Sequence, residues 1–220
     1  MISKTEGRAR WILGALTATV LLAFTAQAST AQEAYPEFGV DPRLGVAFPV
    51  GDLADTHEFG FSAGLGVAYY FHRHVAVRGD FEVSILDDRS QQFGVVLAPP
   101  LTLVNFNAGI ELDFPRPDYQ EFPLNFRWYV GGGGTSMSAS RDFPTGEDID
   151  FSGTYPSLTS AVKIGYQVAP DVQAFVGGQA YLIFTDEEET LELVQRAPQA
   201  GPFGAAWSMP VTAGVQIRLR

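Results

Sequence analysis

The sequence predicts an all-β fold: an eight-stranded antiparallel up-and-down transmembrane β-barrel. Three observations carry this. Eight segments alternate apolar and polar residues with a period of two, as a strand with one greasy face must. The connections between them run long, short, long, short, which gathers the short turns at one end. The polar face is rich in glycine, which weakens a water-facing strand for no gain but suits the crowded interior of a narrow barrel.

The first strand is read at about Arg43–Phe48, with Leu44, Val46 and Phe48 on one face and Gly45 and Ala47 on the other. The second, Phe61–Phe71, is the clearest: Phe61, Ala63, Leu65, Val67, Tyr69 and Phe71 oppose Ser62, Gly64, Gly66 and Ala68. The third, Val75–Leu86, contains Arg78-Gly79-Asp80, the tripeptide that adhesion receptors read on exposed loop tips. Here it lies mid-strand, with Arg78, Asp80, Glu82 and Ser84 on one side and Val75, Val77, Phe81, Val83 and Ile85 on the other. Periodicity therefore assigns these charges to a strand face, not to an adhesion loop.

The fourth strand, about Leu101–Asp113, sets Val104, Phe106, Ile110 and Leu112 against Asn105, Asn107, Gly109 and Glu111. The fifth, Leu124–Thr135, sets Leu124, Phe126, Trp128 and Val130 against Asn125, Arg127 and Tyr129. The sixth, about Tyr155–Val168, carries Leu158, Val162, Ile164 and Tyr166 opposite Thr159, Lys163 and Gln167. In the seventh, Val172–Phe184, Phe175 and Ile183 blur an otherwise regular contrast. The eighth, Trp207–Leu219, sets Val211, Ala213, Val215, Ile217 and Leu219 against Thr212, Gly214, Gln216 and Arg218. Strands two and three are joined by "HRH", six and seven by "APD", and four and five by "FPRPDYQEFP"; the alternate connections are longer and acidic.

Alternation alone fits a soluble lipocalin-like barrel as well. Membrane insertion is favoured by the aromatics near strand ends (Tyr69, Phe71, Phe126, Trp128, Tyr166, Phe184) and by segments long enough for a tilted span of about 9–11 residues. On the lipid face at mid-depth an arginine costs roughly 2–4 kcal/mol, so Arg78 is placed inward. The interior then holds Arg78, Arg127, Lys163, Arg218 and Arg43 against Asp80, Glu82, Glu111 and Asp113. Mixed signs in similar number describe paired ions filling a narrow lumen, because a buried charge without a partner is expensive.

Residues 1–28 read as a secretory signal: basic Lys4, Arg8 and Arg10, then an apolar run from Trp11 to Ala26, then Ala26-Gln27-Ala28. A short segment, 29–42, follows, and 43–220 is assigned to the barrel. The chain has no cysteine, so neither disulfides nor lipidation at cysteine are available. Its net charge of −11 argues against nucleic acid as a partner.

With these features in view, the chain resembles the small outer-membrane β-barrels of the OmpA/OmpX type, and especially single-domain members whose first strand runs into a proline-glycine turn, here "LGVAFPVGDL". One departure is the ending "VQIRLR", with Leu219 as the last lipid-facing residue where such barrels carry an aromatic. The resemblance implies a monomer in the bacterial outer membrane, with membrane lipid, lipopolysaccharide and the barrel assembly machinery as partners.

The chemistry the sequence offers is thin. Of the three histidines, His72 and His74 fall in a short turn, while His57 sits in the first long connection beside Asp55 and Glu58, where it reads as a solvated loop residue. No serine is tied to it by a motif, so no catalytic residue is assigned. "TGEDID" and "DEEET" could gather a divalent cation but lack the spacing of a calcium loop, so no metal or cofactor is assigned either. The expected role is non-enzymatic, structural or surface-binding through the acidic loops. A narrow pore and a lipid A-modifying enzyme are the alternatives.

Overall fold

A computed structural model describes residues 37–72, 74–87, 100–115, 124–141, 149–169, 171–186 and 204–219. Residues 1–28, read above as a secretory signal, Arg73, Arg220 and most of the acidic loop residues, among them Asp142, Glu147 and Glu187–Glu189, lie outside that set. The elements are β1 (Glu37–Val50), α1 (Asp52–Thr56), β2 (Gly60–His72), β3 (Val75–Leu86), β4 (Leu101–Pro115), β5 (Leu124–Arg141), β6 (Ile149–Ala169), β7 (Val172–Ile183) and β8 (Ala206–Leu219).

Every strand pairs antiparallel with its sequence neighbours, and β1 closes on β8, so the sheet is an eight-stranded closed barrel. Following paired residues round the wall from Val40 through Val67, Gly79, Ala108, Gly132, Leu158, Leu182 and Trp207 returns to β1 at Val50, ten positions on. A stagger of ten over eight strands tilts them by about 40° and leaves an interior only wide enough for side chains.

The outer wall is greasy all round. Its large apolar residues are 36–62% exposed, far more than a soluble protein shows in one contiguous patch. Aromatics gather at two levels. Phe38, Tyr69, Phe71, Phe114, Phe126 and Tyr166 face outward near the short turns; Phe48, Phe59, Phe184 and Trp207 do so at the opposite end. Phe38 and Phe48 are ten positions apart on β1. At about 3.3 Å per residue and this tilt, about 25 Å separates the two belts, the height of an outer-membrane barrel's apolar band. Trp128 satisfies its indole by donating from Nε1 to Ser160 Oγ, 3.1 Å away. This wall makes the chain a transmembrane barrel.

Two bounds differ from the sequence reading in ways that matter. β1 starts at Glu37, not Arg43, so residues 37–42, assigned above to a short N-terminal segment, are barrel wall. This added stretch contains Pro42. The barrel accommodates it where β1–β8 pairing lapses between Val40 with Ile217 and Arg43 with Gly214, a place that asks for no amide donor.

β5 and β6 are also longer than read, 18 and 21 residues. Phe184 donates its amide to Pro156 O, and Pro156 pairs with Gly134, which sets both at the level of the outer aromatic belt. Beyond them Thr135–Arg141 still pairs with Ile149–Tyr155. Over this stretch the polarity inverts. Met137, Ala139, Phe151 and Tyr155 point inward and are buried, while Ser138, Ser140, Ser152 and Thr154 point outward and are exposed. The strands follow the membrane rule up to the belt and the water rule above it.

Candidate functional site

Because strand parity is fixed by the wall, the inward residues of all eight strands stack in layers along the lumen. The middle layer is ionic. Arg43 donates to Glu82 Oε2 from Nε (3.0 Å) and Nη2 (2.8 Å), and also to Asp80. Arg78 donates to Asp80 Oδ2 from Nε (2.8 Å), to Asp41 Oδ1 from Nη2 (2.7 Å) and to Glu111 Oε2 from Nη1 (2.9 Å). Lys163 reaches across from β6 to Asp41 Oδ2 at 3.0 Å. These side chains are 0–4% exposed, so they seal against one another.

The arrangement depends on glycines. A Cβ at Gly66 would lie 1.8 Å from Arg78 Nη2 and 2.5 Å from Asp41 Oδ1, and one at Gly64 would lie 2.8 Å from the Arg43 guanidinium. The two arginines lie flat against β2 because β2 has no side chains there.

Arg127 is held differently. Its Nη1 is 3.8 Å from Glu111 Oε1, and its guanidinium lies 5.4 Å from the centre of the Phe175 ring, which Lys163 also faces at 4.9 Å. The inward turn of Phe175, which blurred the pattern of β7, thus supplies an aromatic face to two cations. Glu111 also accepts from Tyr70 Oη at 2.6 Å, which in turn accepts from Gln216 Nε2 at 3.0 Å.

Of the sequence-predicted charges, Arg78, Asp80, Glu82, Glu111, Arg127 and Lys163 meet in this one layer, and Arg43 joins them. Arg218 stands apart at the short-turn end, 27% exposed, bonded to Asp113 at 2.9 Å and 3.7 Å from Glu37. Asp41 was not anticipated, although it shares parity with Arg43 and lies within 4 Å of three cations, Arg43, Arg78 and Lys163.

Towards the long loops the lumen changes character. Ser62, Ser84, Asn105, Thr135, Ser157 and Ser208 form a hydroxyl and amide layer above the ions. Above that, Ala47, Leu86, Leu101, Leu103, Met137, Phe151, Tyr155 and Ile183 form an apolar core closed by Leu53 of α1, which is fully buried. The chain enters α1 through Gly51, whose φ of 64° suits glycine. His57 follows α1 and is 3% exposed, its Nδ1 2.8 Å from Thr56 Oγ1. The expectation of a solvated loop histidine is therefore corrected: α1 folds inward and carries it along. His72 and His74 lie at the other end, their rings 5.9 Å apart.

No protein-family model and no curated protein sequence matches the chain. Solved structures do. Neisserial surface protein A (NspA) superposes with a TM-score of 0.55 at 17% identity, over 82% of this chain and 96% of that one. A major outer membrane protein from Thermus thermophilus gives 0.53 at 13%, over 84% and 100%. Ail, the attachment invasion locus protein of Yersinia pestis, in complex with the heparin analogue sucrose octasulfate, gives 0.50 at 13%, also over 84% and 100%. The fold is that of the small outer-membrane β-barrels. Identities this low establish the shared fold and nothing finer, so what such a barrel does here must come from its own residues.

Proposed function

We propose that this chain is an integral barrel of the bacterial outer membrane without catalytic activity, serving a structural or surface-binding role through the parts that stand above the lipid. The observation that supports this reading is the filled lumen. Arg43, Arg78, Glu82 and Glu111 are 0–2% exposed, and Tyr181 and Leu53 are fully buried beyond them, so among the described residues side chains fill the lumen at both levels. A narrow pore needs an open route for water. A lipid A-modifying enzyme needs a base at the outer rim, where His57 is buried.

On this reading the wall meets membrane lipid and lipopolysaccharide, the barrel assembly machinery inserts the chain, and it works as a monomer. The chain's net charge of −11 disfavours a polyanion of the kind bound to Ail in its complex. Cell fractionation with a heat-modifiability gel tests the placement: the unboiled band runs apart from the boiled one and sits in the outer-membrane fraction. Planar-bilayer recording of the same preparation gives a flat trace under applied voltage, and lipid A mass spectra are unchanged by expression. Stepwise conductance or an altered acyl pattern refutes the structural reading.

A further inference from the structure

The layer between the ions and the apolar core is unlike either. Ser62 and Ser84 are direct cross-strand partners, as are Glu82 and Asn105, and Tyr181 and Ser208. All six are 0–1% exposed. Yet Ser84 Oγ, Asn105 Nδ2, Tyr181 Oη and Ser208 Oγ each lack a hydrogen-bond partner. Buried polar atoms are nearly always paired, so four unpaired in one band need an occupant that both donates and accepts. The Glu82 carboxylate borders the band from below, its Oε2 taken by Arg43.

Among the described residues, what lies above the band is a ring of apolar wall side chains with one small element, α1, set into it. Leu53 packs into the same apolar cluster as the Tyr181 ring. Its helix spans five residues and is entered through the positive-φ Gly51. On its far side the chain is pinned to the wall by the Glu58 amide donating to Asp87 O at 2.8 Å. The ionic layer beneath is cross-linked by charge-assisted bonds between β1, β3, β4 and β6.

We propose that this band is a binding site for a small uncharged polyhydroxyl molecule, open only to the outside and closed by α1 acting as a stopper through Leu53. Hydroxyls and amides suit such a solute. The Glu82 carboxylate at its floor disfavours an anion, and the ion layer makes the site a dead end. With the stopper seated, water is the occupant. The proposal goes beyond the structural reading above and survives a flat conductance trace, which a dead-end site also gives.

The absence of native cysteine makes the test clean. Ser84→Cys reports the band, and Ala161→Cys, inward-facing and 2% exposed on β6 beside Lys163, reports the ion layer. Each is placed in the full chain, alone and with Leu53→Ser, refolded into lipid vesicles and treated from outside with methyl methanethiosulfonate. Folding is checked first on a heat-modifiability gel; should Leu53→Ser not fold, Leu53→Ala replaces it. Expected is an increase of at least ten-fold in labelling of Ser84→Cys when Leu53 is replaced, no change at Ala161→Cys, and slowing by glycerol but not by sodium chloride. An unchanged rate at Ser84→Cys, equal acceleration at both positions, or no protection by glycerol overturns the proposal.

Discussion

At the residue scale the lumen is a lattice in which one carboxylate holds three cations. Asp41 faces Arg43, Arg78 and Lys163. Removing its charge leaves buried cations short of a partner, which costs about 3–5 kcal/mol. Asp41→Asn is therefore expected to lower the unfolding free energy of the detergent-folded barrel by that much, read as a lower urea midpoint at unchanged slope, and Lys163→Met in the same background to cost less than it does alone. Two glycines give a contrasting pair. Gly66→Ala drives a methyl into Arg78 and costs about 1–3 kcal/mol. Gly79→Ala points into open space on the lipid side and stays within about 0.5 kcal/mol of the parent. Equal midpoints for the two alanines would remove the close guanidinium–strand contact from the account. The charges on β3 were legible in the sequence because their parity is unbroken from Val75 to Leu86. Asp41 was not, because Pro42 is the residue that most often ends a strand, and only the lapse in β1–β8 pairing explains its place inside one.

At the element scale the strands carry two sequence patterns, and the sequence reading saw only one. β3 was legible to its last residue, since apolar-out alternation runs its whole length. β5 and β6 were cut short because past Gly134 and Pro156 the apolar residues change sides, and a search for one periodicity with a fixed outer face stops where that face does. Gly131–Gly134 adds to the effect, having no side chains to show parity. The inversion predicts opposite behaviour for neighbours on one strand. A polarity-sensitive fluorophore on Val130→Cys reports hydrocarbon, and on Ser138→Cys it reports water. Met137→Ala, which empties a fully buried place in the apolar core, costs about 2–5 kcal/mol. An aqueous signal at Val130 would contradict the transmembrane placement of the wall, whereas a hydrocarbon signal at Ser138 would put the β5–β6 extension inside the membrane.

At the scale of the whole molecule, closure is what joins these parts. The stagger of ten returns Val40 to Val50, and β1 pairs with β2 over Glu37–Ala47 on one flank and with β8 over Phe38–Val50 on the other. The same strand supplies Asp41 and Arg43, whose partners lie on β3 and β6. The first strand is thus bound to its neighbours by backbone and to the far wall through the lumen. In an open sheet β1 and β8 would be edges, whose amides exchange early because one side of each strand has no partner. In the closed barrel they are interior strands. Amide hydrogen exchange of the folded protein in lipid is expected to give protection on β1 and β8 equal to that on β4, with a local minimum at Asp41, beside the proline where the ladder lapses. In Asp41→Asn that minimum deepens and spreads to the facing amides of Val215 and Gln216, while β4 keeps its protection, since the lost charge loosens the seam before it loosens the wall. Uniformly fast exchange along β1 and β8 in the parent would mean that the seam is open, and the lumen with it.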